Sequence, residues 1–246
     1  MQKTNTILGI ILIGLMLVLF SCDDKNKYSL GNFEINIATV MPEGKDAYSL
    51  LLDNGKKLWP AATDVLYSPT YNQRVLVNYT VLSGQQGEYD HYVKINYLRN
   101  VLTKPVIELN AYNADSIGND PVKINAVWVG GDHLNVDFMF NYGGIRPHAI
   151  NLVENTLSSA TTPDAIELEF RHNAYGSASR YLYEGFACFD LRPFRANDID
   201  SVAFSIKVKD WDGEKKYDVV YKYNLAPYAN AKAIMPIPVI TSSEYY

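Results

Sequence analysis

Two cysteines and four histidines have the widest chemical range of any side chains in this sequence, and their neighbours decide how much of it is used. Cys22 closes Leu19-Phe20-Ser21-Cys22 after an apolar stretch from Ile7 to Phe20, preceded by a polar head that carries Lys3. A basic start, a short apolar core and a small residue at the junction form a secretory signal. Cysteine at that junction makes it a lipoprotein signal: the thiol takes a lipid, and the chain matures as Cys22 to Tyr246. A spanning helix needs about 20 apolar residues, whereas this stretch is shorter and ends in Ser-Cys-Asp-Asp, which argues against an uncleaved anchor. Each buried acyl methylene contributes about 0.8 kcal/mol, so two or more chains hold a protein durably on a membrane. The expected location is the cell envelope, anchored at the outer membrane, with Asp23 and Asp24 placed where sorting machinery reads charge.

The remaining chemistry is sparse. His91, His133, His148 and His172 lack the close-spaced partners of a zinc motif. His148 is in phase with Ile150 and Leu152, and His172 with Ile166, Leu168 and Phe170, so both are expected on the core-facing side near strand ends. Histidines there are structural unless the two pair into a metal or acid-base site. His91 and His133 lie beside turn residues and are expected to face solvent. Cys188, in Gly185-Phe186-Ala187-Cys188-Phe189, reads as a buried inert thiol. Tyr175-Gly176-Ser177-Ala178-Ser179 lacks the second glycine of a nucleophile elbow. Glu167 and Glu169 alternate outward on one strand, as a solvated face does. No phosphate-cradling glycine loop or dinucleotide fingerprint occurs. The expectation is no catalytic residue, no metal and no cofactor.

Removing residues 1–21 takes away Lys3 and leaves 21 basic against 27 acidic side chains, a net charge of -6. Nucleic acid is excluded as a partner on that balance, because a phosphate backbone needs a concentrated basic surface.

The elements that would position these residues are strands. Apolar residues recur with period two: Phe33, Ile35 and Ile37; Tyr48, Leu50 and Leu52; Val75, Val77, Tyr79 and Val81; Val93, Ile95 and Tyr97. With a short strand from Lys56 to Trp59 they form a five-strand module, punctuated by Pro42-Glu43-Gly44, by Asp53-Asn54-Gly55, whose Asn-Gly pair suits a tight hairpin, and by Gly84 to Gly87. A polar stretch follows. A second alternating set then begins at Val122, Ile124, Ala126 and Trp128 and closes with Tyr217, Val219, Tyr221 and Tyr223, a pattern that reads as a sandwich. The segment 225–246 contains Pro227, Pro236 and Pro238 yet is apolar at Ile234, Met235, Ile237, Val239 and Ile240. It packs along the sandwich, hangs loose, or docks on a partner by strand addition.

The stretches Leu50-Leu51-Leu52-Asp53-Asn54-Gly55, Leu58-Trp59-Pro60 and Gln73-Arg74-Val75-Leu76-Val77-Asn78-Tyr79 resemble the NigD-like lipoproteins of the Bacteroides group. So do His148-Ala149-Ile150-Asn151-Leu152-Val153, Glu167 to Asn173, and Phe189-Asp190-Leu191, together with the lipobox at Cys22. The resemblance implies an all-β chain: an N-terminal OB-like five-stranded barrel followed by an immunoglobulin-like antiparallel β-sandwich. The expected divisions are a barrel with its tether at 22–110, a linker at 111–120, a sandwich at 121–224 and a proline-containing tail at 225–246. An OB barrel carries a helical connection that would fall in Ala61 to Gln73, where Pro69 and Asn72 leave room for little helix.

An OB barrel engages ligands through its strand 2 and 3 face and two loops, here Met41 to Lys45 and Ser83 to Asp90. Tyr67, Tyr71, Tyr89 and Tyr92 lie nearby, and Asn78, Thr80, Tyr92, Lys94 and Asn96 share the outward parity. These are the candidate binding residues, although most of the 19 tyrosines in an all-β chain serve strand packing. The function expected is a lipid-anchored, non-catalytic binding or adaptor module for a partner protein or glycan of the envelope. A structural assembly subunit is the alternative, followed by a hydrolase or metal-binding protein using His148 and His172.

Overall fold

A computed structural model describes residues 30–144, 146–157, 165–197, 199–223 and 245–246. The expected signal peptide and Cys22 lie outside the described residues, as does nearly all of the C-terminal segment. Among the described residues no helix is long and apolar enough to cross a membrane.

The first half closes into a barrel. Its strands are β1 (Glu34–Pro42), β2 (Tyr48–Leu52), β3 (Lys57–Thr63), β4 (Arg74–Ser83) and β5 (His91–Asn100), hydrogen-bonded in the order β1-β2-β3-β5-β4. Antiparallel pairing of β1 with β4, running from Glu34 opposite Tyr79 to Thr39 opposite Arg74, completes the circuit. A closed barrel leaves no strand edge unpaired. Alternation puts Val40, Leu50, Leu58, Val75, Val77, Val93 and Ile95 inside, all inaccessible to solvent. The β2–β3 hairpin turns at Asp53-Asn54-Gly55, where the Gly55 N–H donates to Leu52 O at 2.9 Å. Only Gly55 takes a positive φ there (81°), so the turn needs one left-handed residue and not the Asn-Gly pair. No helix occupies the β3–β4 connection, in keeping with Pro69 and Asn72.

The second half is a two-sheet sandwich. Its strands are β6 (Leu102–Pro105), β7 (Ile107–Leu109), β8 (Lys123–Gly130), β9 (His133–Tyr142), β10 (Ala149–Asn155), β11 (Ile166–Asn173), β12 (Tyr181–Asp190), β13 (Ser201–Asp210) and β14 (Gly213–Lys222). One sheet has the order β14-β13-β11-β10-β7 and the other β6-β12-β9-β8. Phe138, Phe140, Phe189, Leu152, Leu168 and Ile206 fill the space between them. The all-β class and the barrel-plus-sandwich plan match the sequence expectation, with one change of detail. The sandwich is mixed, since β6–β12, β7–β10 and β11–β13 pair in parallel. The chain passes from β11 to β13 through β12 in the opposite sheet, and β6 and β7 enter from the barrel already pointing along their partners.

β6 and β7, which fall within the expected barrel portion, hydrogen-bond in the sandwich sheets. Pro105 ends β6 because it has no N–H to continue a ladder, and two residues later the chain has crossed to the other sheet. The stretch 111–120 is packed rather than extended: it holds a short helix α1 (Ala114–Ile117), with Ile117 buried against Leu109 and Val153.

Barrel and sandwich share a buried polar contact. Arg74 of β4 is fully buried; its guanidinium forms an ion pair with Asp53 (2.6 Å) and donates to Thr39 Oγ1 (2.9 Å) and to Asn135 Oδ1 of β9 (3.0 Å). Asn135 in turn donates to Asp53 Oδ2 at 3.2 Å. Gly130 faces Asp53 so closely that a Cβ there would stand 2.0 Å from Oδ2. Ile37 and Leu76 of the barrel join the sandwich core beside this network.

Candidate functional site

The barrel surface gathers three aromatic rings. Register places Trp59 of β3 opposite Tyr92 of β5, and the β4–β5 loop brings Tyr89 back over both. Ring centroids are 5.0 Å apart for Trp59 and Tyr89 and 6.1 Å for Tyr89 and Tyr92. The rings are tilted by 42° and 85°, so together they form a notch rather than a flat platform. All three are half-buried. Lys57 and Glu88 form an ion pair at 2.7 Å beside them, and Asp90 accepts the Lys57 backbone N–H at 2.8 Å. The hydrogen bond that Lys57 donates to the Glu88 carboxylate raises its ammonium above the usual range. Glu43 of the β1–β2 loop accepts from Ser49 at 2.7 Å and lies within electrostatic reach of Tyr89. The two loops singled out from sequence therefore converge on this notch.

The other candidates separate from it. Asn96 donates to Asn78 Oδ1 and to Thr80 Oγ1, each at 3.0 Å, forming a self-satisfied group in which Thr80 is only 1% exposed. Lys94 is paired with Asp64 at 2.7 Å. Tyr67 packs edge-on against Tyr48 (5.4 Å) and donates to Asn100 Oδ1 at 2.9 Å. Tyr71 is exposed and lies towards Arg192 of the sandwich, not the notch. Trp59 and Lys57 were missed as site residues. The signal for Trp59 was a strand-edge tryptophan immediately before proline, but cross-strand register was needed to place it beside Tyr92.

In the sandwich, His148 and His172 do come together. His148 Nδ1 and His172 Nε2 are 2.9 Å apart, with both side chains buried beside Phe140 and His148 also against Tyr142. One ring donates to the other; His172 also faces the Asp120 and Pro121 backbone, whereas His148 Nε2 has no hydrogen-bond partner among the described residues. Burial holds both rings below the ordinary imidazole range, His172 at about 4, with the neighbouring His148 adding to the depression. Two neutral imidazoles in an aromatic wall brace the core. Among the described residues, no group of three or more His, Cys, Asp or Glu could hold a metal.

His133 corrects an expectation: it is 1% exposed rather than solvent-facing, near Asn72 Nδ2 (3.4 Å), because β9 begins at the barrel contact and the neighbouring module covers it. His91 is half-buried, facing Leu58 across the barrel closure. Cys188 is buried, its Sγ 3.1 Å from Asn135 Oδ1, and burial pushes the thiol up to about 11. Ser177 accepts the Gly143 N–H at 2.9 Å and holds a turn. Glu167 pairs with Lys207 and Lys216, and Glu169 with Arg171.

Residues 37–101 match the NigD-like N-terminal OB domain, and residues 104–221 match the NigD-like C-terminal beta sandwich domain. The chain belongs to the NigD-like family. The NigD-like arrangement recurs in solved structures. A protein described as toxin-related from Parabacteroides distasonis is 37% identical, with 78% of this chain and 95% of that one covered and a TM-score of 0.69. A protein of unknown function from Bacteroides vulgatus is 31% identical over 83% and 97% of the two chains, with a TM-score of 0.71. A NigD-like immunity protein from Bacteroides caccae shares the fold at 21% identity, covering 78% and 92%, with a TM-score of 0.58. No curated protein matches.

Proposed function

We propose that this NigD-like chain is a lipid-anchored, non-catalytic envelope protein whose barrel presents the Trp59–Tyr89–Tyr92 notch to a partner protein. Cys22 at the end of an apolar signal supplies the anchor, placed at the outer membrane. The convergence of three aromatic rings with the Lys57–Glu88 pair between two loops carries the binding reading. Half-buried aromatics rimmed by charge resemble the anchor residues of protein interfaces. A glycan fits less well, because rings tilted by 42° and 85° cannot share one sugar face. The description of the Bacteroides caccae relative as an immunity protein agrees with a role exercised on another protein.

The test is a crosslinking pull-down from native envelopes with three forms: the lipidated protein, a Cys22→Ala control, and a Trp59→Ala/Tyr89→Ala variant that retains its melting temperature. A protein captured by the first and lost with the third supports the reading, and its loss with Cys22→Ala shows that anchoring matters. Equal capture by the aromatic variant would sink it.

A further inference from the structure

An arginine of the sandwich shows what a tilted aromatic pair beside a carboxylate holds. Tyr221 near the end of β14 and Tyr223 just past it have ring centroids 5.1 Å apart and a tilt of 47°. The guanidinium carbon of Arg195 stands 5.9 Å from the first centroid and 5.8 Å from the second. Arg195 Nε donates to the Tyr221 hydroxyl at 2.7 Å, and a terminal nitrogen of the same guanidinium forms an ion pair with Asp132. The Tyr221 hydroxyl donates to Asp132 Oδ1 at 2.8 Å, which ties the carboxylate to the rings. The ring faces attract the cation through their quadrupoles, and the carboxylate accepts its N–H groups.

The barrel notch repeats these parts. Trp59 and Tyr89 are 5.0 Å apart with a tilt of 42°, against 5.1 Å and 47° in the sandwich pair. Glu88 supplies a carboxylate beside them and Glu43 a second, both exposed. Tyr89 therefore lies within electrostatic reach of two carboxylates and of one ammonium, that of Lys57. Among the described residues, no lysine or arginine stands over Trp59, Tyr89 or Tyr92 as Arg195 does over its own pair. Lys57 reaches Glu88 beside the rings, with 41% of one side chain and 62% of the other exposed. An ion pair that open to water is weakly held, so Glu88 exchanges Lys57 for a better-placed cation at little cost.

We propose that the notch takes an arginine side chain of the partner protein, with the guanidinium on the Trp59 and Tyr89 rings and its N–H edge on Glu88 in place of Lys57. The inference rests on the reading of the notch as a protein-binding surface and names the group that it binds. A guanidinium is a planar fork that lies against a ring and donates in its own plane to a carboxylate at the same time; an ammonium is a hydrated point charge that does one or the other. Tyr92, at 85° to Tyr89, closes the side of the notch. The same carboxylates give the site its selectivity, because an acidic side chain placed there would meet Glu43 and Glu88.

The probe is a library of random peptides displayed on phage. It is selected on the immobilised lipidated protein in detergent, and peptides that also bind Trp59→Ala/Tyr89→Ala are discarded. The remaining peptides are expected to share an arginine. Replacing it by citrulline, which keeps the shape and loses the charge, should weaken binding at least about tenfold, and Glu88→Gln should weaken the arginine peptide to a similar degree. On the citrulline peptide Glu88→Gln should have little further effect, since the two changes remove one contact; a merely structural effect of Glu88→Gln would weaken both peptides alike and count against the proposal. Peptides that need Trp59 and Tyr89 yet lose nothing with citrulline or with Glu88→Gln would overturn the arginine and leave the notch as a binding surface. A selection with no peptide that distinguishes the parent from the aromatic variant would remove the notch reading and the arginine with it.

Discussion

Asp53→Asn tests whether barrel and sandwich are one cooperative unit. The change keeps the size of the side chain and removes the carboxylate that, among the described residues, is ion-paired with the Arg74 guanidinium, which has no exposure to solvent. Breaking one partner of a buried ion pair costs about 3–5 kcal/mol, because the remaining charge stays buried and uncompensated. For a folded body of this size each kcal/mol moves the melting temperature by about 2–4 °C, so a fall of roughly 6–20 °C is expected. Arg74 also touches Asn135 of the sandwich at 3.0 Å, and the loss therefore falls on the joint between modules. Scanning calorimetry should show one transition in the parent and two in Asp53→Asn, as the barrel and sandwich lose their shared contact. The apolar pair Asp53→Leu/Arg74→Met removes both charges and should cost at least about 2 kcal/mol less than the sum of Asp53→Leu and Arg74→Met alone. A cost under about 1 kcal/mol for Asp53→Asn, or strict additivity in the pair, would refute the view that this contact binds the modules.

Further outcomes follow from the same interior. His148, His172 and His133 are all held below the ordinary imidazole range, His172 at about 4 and His133 at about 3, so folding favours their neutral forms. The unfolded chain takes up protons first as the pH drops through about 6.5; stability is complete above that value and is lost progressively towards pH 4, by up to about 1.4 kcal/mol per pH unit for each histidine. A melting temperature unchanged between pH 7 and pH 4.5 would contradict this, and His172→Gln should flatten the slope. Gly130→Ala should displace Asp53, whose carboxylate would stand 2.0 Å from the new methyl, and cost about 1–3 kcal/mol in urea unfolding. Cys188, with its thiol pushed up to about 11 and no exposure, should react with a disulfide reagent only at the rate of unfolding; rapid labelling of the native protein would show that the strand opens.

The sequence by itself determined the strand class, the two modules and the residues that face inward. Period-two alternation is a local signal, so Val75, Val77 and Tyr79, or Ile150 and Leu152, could be assigned to a core without knowing their partners. The same phase argument placed His148 and His172 on the core side. Their meeting at 2.9 Å depended on the pairing of β10 with β11, which sets Ile150 opposite His172. Register also decided the notch: Trp59 and Tyr92 are 33 positions apart and become neighbours only when β3 and β5 close the barrel in parallel. It dispersed the other candidates as well, sending Tyr67 to Tyr48 and Tyr71 towards Arg192. His133 was read as solvent-facing because the turn beside it is polar, yet the barrel covers it. Arg74 carried no mark of burial, since a lone arginine at a strand start ordinarily stays in water. Its site exists because Asp53, Thr39 and Asn135 arrive from three other strands or turns and satisfy it together. Alternation and turn chemistry act over a few residues and are written in the chain; the coincidence of distant side chains is set by strand register and by how two modules dock, and only the tertiary structure fixes those.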